Sequence, residues 1–256
     1  MAEVHRVELN DLERRRIGGN FFSRKNTVFK SVFLGRIVVV KAYGSGRSSL
    51  AKKEYSVLEE CQASGVAAPA PVELRENTVL MEFVEGATLA DLLDSLWLDG
   101  AVTVPEDKHK LESTASAVGE WLARFHEAFG GGTTRGDSNA RNFLVCGDEV
   151  FGVDFEESSP ADVLDDVGQV CSSVLSMHPM FTQEKFDFCC TLARTYFSAT
   201  DSDRSDELGS ATAKALRYYA SYRSDAAAML DMADSMDRTG LFQADSSAGT
   251  STHRSI

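Results

Sequence analysis

Three polar residues in the middle of the chain have a spacing that suits phosphoryl transfer. Asn142 follows Asp137 by five positions, and Asp154 follows Asn142 by twelve. Phosphoryl transfer needs a carboxylate that faces the acceptor hydroxyl and oxygen ligands that hold Mg²⁺ against the nucleotide phosphates. A β-hairpin between Asn142 and Asp154 would bring those two side chains together. We therefore expect Asp137 to be the base and Asn142 and Asp154 to be metal ligands, although Asp137 could instead only cap a turn.

A lysine and a glutamate earlier in the chain form a second candidate pair. Lys41 closes the apolar run 37–40, where an unpaired ammonium would be costly. Glu54 lies on the apolar stripe of the next predicted helix, between Leu50 and Val57. Two inward-pointing opposite charges predict an ion pair, and in a nucleotide-binding lobe such a lysine contacts ATP phosphates. The alternative is a lysine that reaches solvent at a strand end and a glutamate on an exposed helix face.

The elements that must position these residues change from strands to helices along the chain. Apolar β-branched runs around a turn at Gly35–Arg36 predict a hairpin that ends at Lys41. A helix should open near Ser48–Ser49 and stop at Gly65, and residues 78–84 form the next strand. Helical patterns follow, interrupted by β segments over 142–145 and 150–153. They include a long helix closed by three glycines at 130–132, and helices over 161–177, 183–198 and 204–235.

This pattern predicts a small β-rich lobe followed by a larger helical lobe. We place the nucleotide-binding N-lobe at residues 1–86 and the helical C-lobe with the catalytic loop at 87–236. Residues 237–256 are rich in Ser, Thr and Gly with few apolar side chains, so a disordered tail is expected there.

Composition limits the possible partners and locations. The chain has 256 residues and a formal charge of −13, which disfavours direct binding of nucleic acid. No apolar run is long enough to span a membrane, and the first residues have no apolar signal core. The five cysteines form no CxxC pair and are typical of reduced thiols. A cytoplasmic location is therefore expected.

Taken in order, the motifs resemble those of the protein-kinase-like superfamily. The segments that carry the resemblance include LGRIVVVK, VLMEFVEGATLADLL, GDSNARNFLV and GVDFEES, and the similarity runs over about residues 20–223. The chain is most similar to the small atypical serine/threonine kinase family of the KEOPS complex. The resemblance implies an α+β bilobal fold, with a small antiparallel-sheet N-lobe and a short, mainly helical C-lobe. It also implies ATP and Mg²⁺ or Mn²⁺ as cofactors.

The same resemblance assigns roles residue by residue. Lys41 would contact the α- and β-phosphates, and Glu54 would position Lys41. Asp137 would be the base, and Asn142 and Asp154 would hold the metal. The segment from Glu82 to Val84 would be the hinge whose backbone meets adenine.

Several residues depart from the pattern of that family. Arg135 stands where the family has His, and Glu156 stands where it has Gly. The sequence Asp-Phe-Glu is instead similar to that of aminoglycoside and choline kinase-like phosphotransferases. The only candidate for a glycine loop, residues 17–20, lacks spaced glycines, so Lys25 or Arg24 could help to grip ATP.

Three functions therefore stay open. The first is an atypical serine/threonine protein kinase or KEOPS-kinase-like ATPase, with a possible protein-complex partner, favoured by the short C-lobe. The second is a small-molecule kinase, favoured by Asp-Phe-Glu and by the acidic stretch 142–184, which contains no Lys or Arg and should be mostly a solvated face. The third is a nucleotide-binding pseudokinase. In each case Asp166 is expected to brace the catalytic loop, and His126 could either satisfy local carbonyl groups or pack beneath that loop.

Overall fold

The computed structural model describes residues 9–21, 23, 25–97 and 104–241. The chain separates into two compact units. The first unit comprises Met1–Glu85 and Asp154–Glu157, and the second comprises Gly86–Val153 and Ser158–Ile256. The division after Glu85 lies one residue before the lobe boundary expected from the sequence. The return of residues 154–157 to the first unit was not foreseen.

The first unit contains a five-stranded antiparallel sheet in the order β1-β2-β3-β5-β4. Its strands are β1 (Arg16–Phe21), β2 (Thr27–Phe33), β3 (Arg36–Ala42), β4 (Pro71–Arg75) and β5 (Thr78–Glu82). The helices are α1 (Leu9–Arg14) and α2 (Ser48–Ser64). The α+β architecture expected from the sequence is confirmed.

The two faces of this sheet contact different groups, one of them apolar and the other charged. One face forms a core of apolar residues from α1 and the sheet: Leu12, Phe29, Phe33, Val38, Val40 and Leu80. Side chains of consecutive strand residues point to opposite faces, so Lys41, which follows Val40, points away from that core. There it meets Glu54 of α2. The alternation of β3 thus places the lysine on the face that carries the site.

Two turns of the first unit show how local sequence sets these elements. The hairpin of β2 and β3 turns at Leu34 and Gly35, both with positive φ (48° and 77°), whereas Arg36 already pairs with Phe33. The hairpin was predicted, but its turn lies one residue earlier than expected. Gly65, at φ 70°, ends α2 as predicted, and its N–H donates to the Cys61 carbonyl.

The second unit is mainly helical. Its helices are α3 (Leu89–Leu96), α4 (Pro105–Ala128), α5 (Leu164–Leu175), α6 (Gln183–Ala199), α7 (Ser205–Ala220) and α8 (Ala226–Thr239). Its short strands are β6 (Ala87–Thr88), β7 (Thr133–Thr134), β8 (Phe143–Cys146), β9 (Glu149–Gly152) and β10 (Ser159–Pro160). They form a sheet in the order β6-β8-β9 and a pair β10-β7. The predicted hairpin after Asn142 is thus present.

Glycines allow the helices of the second unit to approach closely. α4 packs on α6, and a Cβ atom at Gly119 would lie 2.5 Å from the Leu192 carbonyl oxygen. α5 packs on α7, and a Cβ atom at Gly168 would lie 2.6 Å from the backbone of Ala211. Such distances exclude larger side chains unless the backbones move. These contacts fix α5, whose side chains bind the loop that contains Asp137.

Two expectations about elements need correction. The predicted glycine loop at residues 17–20 lies inside β1, whose register with β2 shifts between Ile17 and Asn20. The connection between β1 and β2, here called the β1–β2 turn, has Ser23, Lys25 and Asn26 as its described residues, and Arg24 lies outside the described residues. The predicted helix 204–235 is two helices, α7 and α8.

The C-terminal part of the chain is ordered further than expected. α8 extends to Thr239 and Leu241 is buried, although the tail was expected to start at residue 237. Residues 242–256 lie outside the described residues. Among those described, no helix is both long and apolar enough to cross a membrane.

Candidate functional site

Lys41 lies at the centre of a buried charged cluster in the first unit. Its side chain is 6% exposed. Its Nζ lies 2.6 Å from Glu54 Oε2, 2.5 Å from Asp154 Oδ1 and 3.2 Å from Glu156 Oε2. The predicted ion pair of Lys41 and Glu54 is therefore present, and Asp154 joins it. The Tyr43 hydroxyl also donates a hydrogen bond to Glu54 Oε2.

This cluster carries more negative than positive charge. Burial lowers the pKa of Lys41, but the carboxylates of Glu54 and Asp154 outweigh that effect and raise it well above its usual value. Burial raises the pKa of Glu54, against the influence of Lys41. Burial and the Glu54 carboxylate also raise the pKa of the Tyr43 hydroxyl. Lys41 is therefore charged at neutral pH, and the surplus of carboxylates suits a further cation.

Asp154 has a backbone conformation that few residue types adopt. Its φ is 66°, in the left-handed region that aspartate tolerates better than most side chains. Its side chain is 41% exposed, although Oδ1 accepts a hydrogen bond from Lys41. One oxygen of Asp154 is thus committed to the lysine while the carboxylate stays accessible.

The residues after Asp154 tie this segment to the rest of the first unit. Glu156 is buried, and its Oε2 accepts a hydrogen bond from Asn26 Nδ2 at 2.5 Å. Its Oε1 lies 3.3 Å from an Arg47 guanidinium nitrogen. Glu157 forms an exposed ion pair with Lys25. Sequence reasoning missed Asn26 and Arg47, since both lie in connections whose partners are more than 100 residues away.

The predicted hinge follows β5. The Glu82 N–H donates to the Ala70 carbonyl at 2.9 Å, and Glu82 Oε2 accepts from the Ala70 N–H at 3.3 Å. Val84 lies in the irregular segment after the strand. Between them, the ring of Phe83 packs under the Lys30 ammonium, 4.4 Å from its centroid. The contact of Glu82 and Val84 with adenine stays a prediction.

In the second unit, Asp166 of α5 holds the loop that contains Asp137. Asp166 Oδ2 accepts the Arg135 N–H at 2.7 Å, and Oδ1 accepts the Ser138 hydroxyl at 2.7 Å. His126 Nε2 lies 3.0 Å from the same carboxylate. The expected brace is therefore confirmed, and His126 packs beneath the loop as predicted. Since Asp166 is fully buried, these bonds are shielded from water.

Further side chains of α5 bind the backbone of the same loop. Gln169 Oε1 accepts the Ser138 N–H at 2.9 Å, and Ser173 Oγ accepts the Ala140 N–H at 3.0 Å. One face of a single helix thus binds the N–H groups of residues 135, 136, 138 and 140. The contacts of Gln169 and Ser173 were not foreseen, because polar residues on an otherwise buried helix face do not reveal their partners.

Asp137 and Asn142 are linked within this loop. Asn142 Nδ2 donates to the Asp137 carbonyl at 2.9 Å, which commits the amide nitrogen and turns Oδ1 to other partners. The Asp137 carboxylate accepts a hydrogen bond of 2.6 Å from Asn139 Nδ2. Burial, followed by the negative charge of Asp137, raises the pKa of Tyr219 on α7. Tyr219 is a neighbour of the predicted base that sequence reasoning missed.

Arg135 fixes both ends of the β8–β9 hairpin. Its guanidinium is fully buried and donates to the carbonyl oxygens of Asn142, at 3.1 Å, and Val153. The charged group stacks over the ring of Phe143, 4.5 Å from its centroid, and lies near Trp121. Arg135, which stands where the resemblance predicts histidine, therefore supports the backbone at Asn142 and directly before Asp154.

The acidic stretch 142–184 is less open than the sequence suggested. Glu156 and Asp166 are buried. Four further acids in the stretch pair with basic residues: Asp148 with Lys110, Asp162 with Arg204, Asp165 with Lys214, and Glu157 with Lys25. The expectation of a mostly solvated acidic face is wrong for Glu156 and Asp166, whereas Asp148, Glu157 and Asp162 are exposed as expected. The ion pairs offset part of the negative charge that would attract a cationic substrate.

The predicted site residues are distributed over both units. Lys41, Glu54 and Asp154 meet in the first unit, and Asp137 and Asn142 meet in the second. Oxygen atoms of Glu54, Asp154 and Glu156 all lie within 4.8 Å of one another. Carboxylate and amide oxygens are the ligands that Mg²⁺ prefers, so the accessible carboxylate of Asp154 in the first unit and the amide oxygen of Asn142 in the second are each of the predicted ligand type.

Sequence comparison gives a match to a known family over part of the chain. Residues 45–160 match the family model of the RIO domain, an atypical protein-kinase-like family. This range is less than half of the chain. It contains Glu54, Asp137, Asn142 and Asp154 but not Lys41. A search of curated protein sequences finds no match.

Solved structures similar to this chain are kinase-like over nearly their whole length. A putative aminoglycoside phosphotransferase from Ralstonia eutropha JMP134 has a TM-score of 0.56 at 15% identity, and the match covers 92% of this chain and 96% of that one. Amicoumacin kinase hAmiN, in complex with AMP-PNP, Ca²⁺ and Ami, has a TM-score of 0.54 at 14% identity, with 87% and 89% covered.

A third similar structure is WaaP in complex with acyl carrier protein. Its TM-score is 0.53 at 17% identity, and the match covers 89% of this chain and 92% of that one. At these identities the likeness concerns the fold alone. The chain has a protein-kinase-like fold, and the matches support both resemblances drawn from the sequence, to atypical kinases and to aminoglycoside kinase-like phosphotransferases.

Proposed function

We propose that the protein is an ATP-dependent phosphotransferase that transfers the γ-phosphoryl group of ATP to a hydroxyl group. The observation that carries this proposal is the buried Lys41, paired at 2.6 Å with Glu54 and at 2.5 Å with Asp154, on a protein-kinase-like fold. A lysine held by a glutamate is the arrangement that kinases use to bind ATP phosphates. The match to amicoumacin kinase in complex with AMP-PNP supports the same nucleotide class.

Each unit contributes distinct groups to this chemistry. In the first unit, the Lys41 ammonium would bind phosphate oxygens, and Glu54 would hold it in place. In the second unit, the Asp137 carboxylate would accept the proton of the acceptor hydroxyl as the phosphoryl group is transferred. Because Asp166, Gln169 and Ser173 bind the backbone of its loop, Asp137 is held before substrate arrives.

The residues that would hold the divalent metal are Asn142 and Asp154. Their hard oxygen atoms fit Mg²⁺ or Mn²⁺, which when bound would neutralise phosphate charge. Arg135 supports both residues through the carbonyl oxygens of Asn142 and Val153. The Arg135 side chain therefore takes a supporting role rather than weakening the site, which argues against the pseudokinase hypothesis.

Two acceptor classes are candidates. The RIO match favours an atypical serine/threonine protein kinase or ATPase, with a protein acceptor or partner. A small-molecule acceptor is the second candidate, because two similar structures are a putative aminoglycoside phosphotransferase and amicoumacin kinase. The shortness of the helical unit does not separate the two classes, since the match covers 96% of that phosphotransferase chain.

The test is ADP formation by the purified protein with ATP and Mg²⁺, for wild type and for Asp137→Ala and Asp154→Ala. We expect both substitutions to lower the rate by at least about 100-fold, since each removes a group that acts on the transition state. Asp148→Ala is the matched control, because its side chain is 97% exposed. Thermal melting checks that the variants fold.

The outcomes separate the three hypotheses. Wild-type rates in both variants would show that the proposal is wrong. Nucleotide binding without any ADP formation by the wild type, also after protein, amino alcohol and aminoglycoside acceptors are added, would instead favour a pseudokinase. With ³²P-labelled ATP, label on protein would favour the first acceptor class, and label only on amino alcohols or aminoglycosides would favour the second.

A further inference from the structure

Glu156 connects three parts of the first unit that are distant in sequence. It follows Asp154 by two residues, and its carboxylate contacts Asn26 in the β1–β2 turn, Arg47 just before α2, and Lys41 on β3. The side chain of Glu156 is 5% exposed. A buried carboxylate is costly unless several donors satisfy it, and here three do.

The neighbouring ion pair is of a different kind. Glu157 and Lys25 also connect the segment to the β1–β2 turn, but their side chains are 46% and 57% exposed. Exposed pairs of this type contribute little to stability because water and salt screen them. Of the two links to the turn, the one through Glu156 should therefore be the stronger.

The turn that Glu156 holds is the one that would cover the nucleotide. In kinases the loop between the first two strands lies over the phosphates and is rich in glycine. Here the described residues of that turn are Ser23, Lys25 and Asn26, none of which is glycine. A turn without spaced glycines has fewer backbone N–H groups that can approach phosphates closely, so its position must be set by side chains.

We propose that Glu156 is a positioning residue for nucleotide binding: its carboxylate fixes the β1–β2 turn, through Asn26, and the start of α2, through Arg47, relative to Lys41 and Asp154. This inference rests on the proposed phosphotransferase function and explains why glutamate follows Asp154-Phe155. In this arrangement Glu156 is not a ligand of the metal, because Lys41, Arg47 and Asn26 occupy its two oxygens.

The first test needs no nucleotide. Amide hydrogen exchange is measured over peptides of the β1–β2 turn in wild type, Glu156→Gln and Glu157→Gln. We expect exchange in the turn to be at least tenfold faster in Glu156→Gln, since its bonds to charged partners are lost or weakened, and nearly unchanged in Glu157→Gln. Exchange in α7 serves as the internal reference, because it belongs to the second unit. Equal exchange in all three proteins would overturn the proposal.

The second test uses steady-state kinetics with ATP and Mg²⁺. Glu156→Gln should raise KM for ATP about tenfold and change kcat less than threefold, because the turn is displaced while Asp137 and Asp154 remain. Arg47→Met should have a similar effect. The double variant should raise KM by less than the product of the two single factors, since both variants remove the contact between Glu156 and Arg47, while Arg47 also binds Asn26 and the Lys25 carbonyl. Effects that multiply would overturn the proposal, as would a Glu156→Gln variant that behaves like Glu157→Gln.

A milder variant guards against misfolding of Glu156→Gln. Asn26→Ala removes one donor from the half-exposed side of the contact and should raise KM for ATP in the same direction, by a smaller factor. If Glu156 were instead a metal ligand, Glu156→Gln would raise the Mg²⁺ concentration needed for half-maximal rate and leave the turn unchanged in hydrogen exchange. That result would overturn the positioning role. Absence of ATP turnover in the wild type would contradict the proposed function, but hydrogen exchange would still decide the role of Glu156.

Discussion

The molecule has two acidic centres, namely Asp166 in the second unit and the cluster of Glu54, Asp154 and Glu156 in the first. They differ in the groups that they contact. In the second unit, Asp166 binds mainly the backbone and side chains of one loop, with every acceptor oxygen matched to a nearby donor. In the first unit, Glu54, Asp154 and Glu156 share the ammonium of Lys41, and the contacts join side chain to side chain. The first kind of centre fixes a backbone shape, whereas the second balances charges.

This difference indicates a division of labour. A loop that is held by buried bonds to its peptide groups has one preferred conformation, which suits a base that must be ready for its substrate. A cluster with surplus negative charge can exchange partners when phosphates and a metal ion arrive. We therefore expect substitutions in the second unit to act first on stability, and substitutions around Lys41 to act first on nucleotide binding.

The largest expected effect is that of Asp166→Ala. It leaves several buried donors of the catalytic loop without their acceptor, so the free energy of unfolding should fall by about 3–5 kcal/mol. Urea denaturation followed by far-UV circular dichroism measures the change. Asp165→Ala is the matched control, because Asp165 pairs with a largely exposed Lys214 and should change stability by less than about 1 kcal/mol.

A loss in Asp166→Ala as small as that in the control would remove the contrast between the two centres. It would mean that Gln169 and Ser173, which bind the same loop from α5, hold it without Asp166.

Lys41→Met tests the acidic centre of the first unit, whose carboxylates share the Lys41 ammonium. Without the ammonium, Glu54 is a buried carboxylate with the Tyr43 hydroxyl as its remaining hydrogen-bond donor, so the free energy of unfolding should fall by about 3 kcal/mol. The rate of ADP formation should fall about 100-fold or more. Adding Glu54→Gln removes the uncompensated charge, so the double variant should regain most of the stability and none of the activity.

Denaturation and ADP formation measured on the same preparations separate the two effects. Recovery of activity together with stability in the double variant would contradict the role of Lys41 in phosphate binding. Glu59→Gln, on the exposed face of α2, is the control for a glutamate substitution on this helix.

The centres also differ in how far the sequence could predict them. The pair Lys41–Glu54 follows from two charges on neighbouring elements that both face inward, because burial forces opposite charges together. The brace by Asp166 was expected because the residue stands at the start of a helix shortly after the catalytic loop. In both cases, the strand or helix pattern favoured a buried or loop-facing side chain, although for Lys41 and Glu54 it also allowed exposed side chains.

The parts that could not be predicted depend on tertiary structure. Nothing near Asn26 or Arg47 indicates that their partner is Glu156, since the contact depends on the return of residues 154–157 to the first unit. The glycines 18 and 19 led to a loop prediction, yet they form an irregularity within β1, whose flanking residues Ile17 and Asn20 pair with β2. The break between α7 and α8 was missed because the polar connection between them has only five residues and the apolar pattern resumes directly after it.

The exposed ion pair of Asp162 and Arg204 should contribute less to stability than either acidic centre. Asp162, just before α5, accepts two hydrogen bonds from Arg204, of 2.9 and 2.8 Å, and its side chain is 49% exposed. The hydrogen bonds from Arg204 lower the pKa of Asp162 from 3.8 to about 2. The native state thus binds this proton less readily than the unfolded state, so the pair stabilises the fold above pH 3.8 and loses its contribution as the pH falls toward 2.

Asp162→Asn should therefore lower the free energy of unfolding by less than about 1 kcal/mol near neutral pH, because water screens the exposed pair. The difference between wild type and variant should be constant from pH 7 to pH 5 and shrink toward zero as the pH approaches 2. Urea denaturation at a series of pH values measures it, and Arg204→Gln should reproduce the shape of the profile because it removes the cause of the shift. A difference that stays constant down to pH 2.5 would show that Asp162 does not act through its charge.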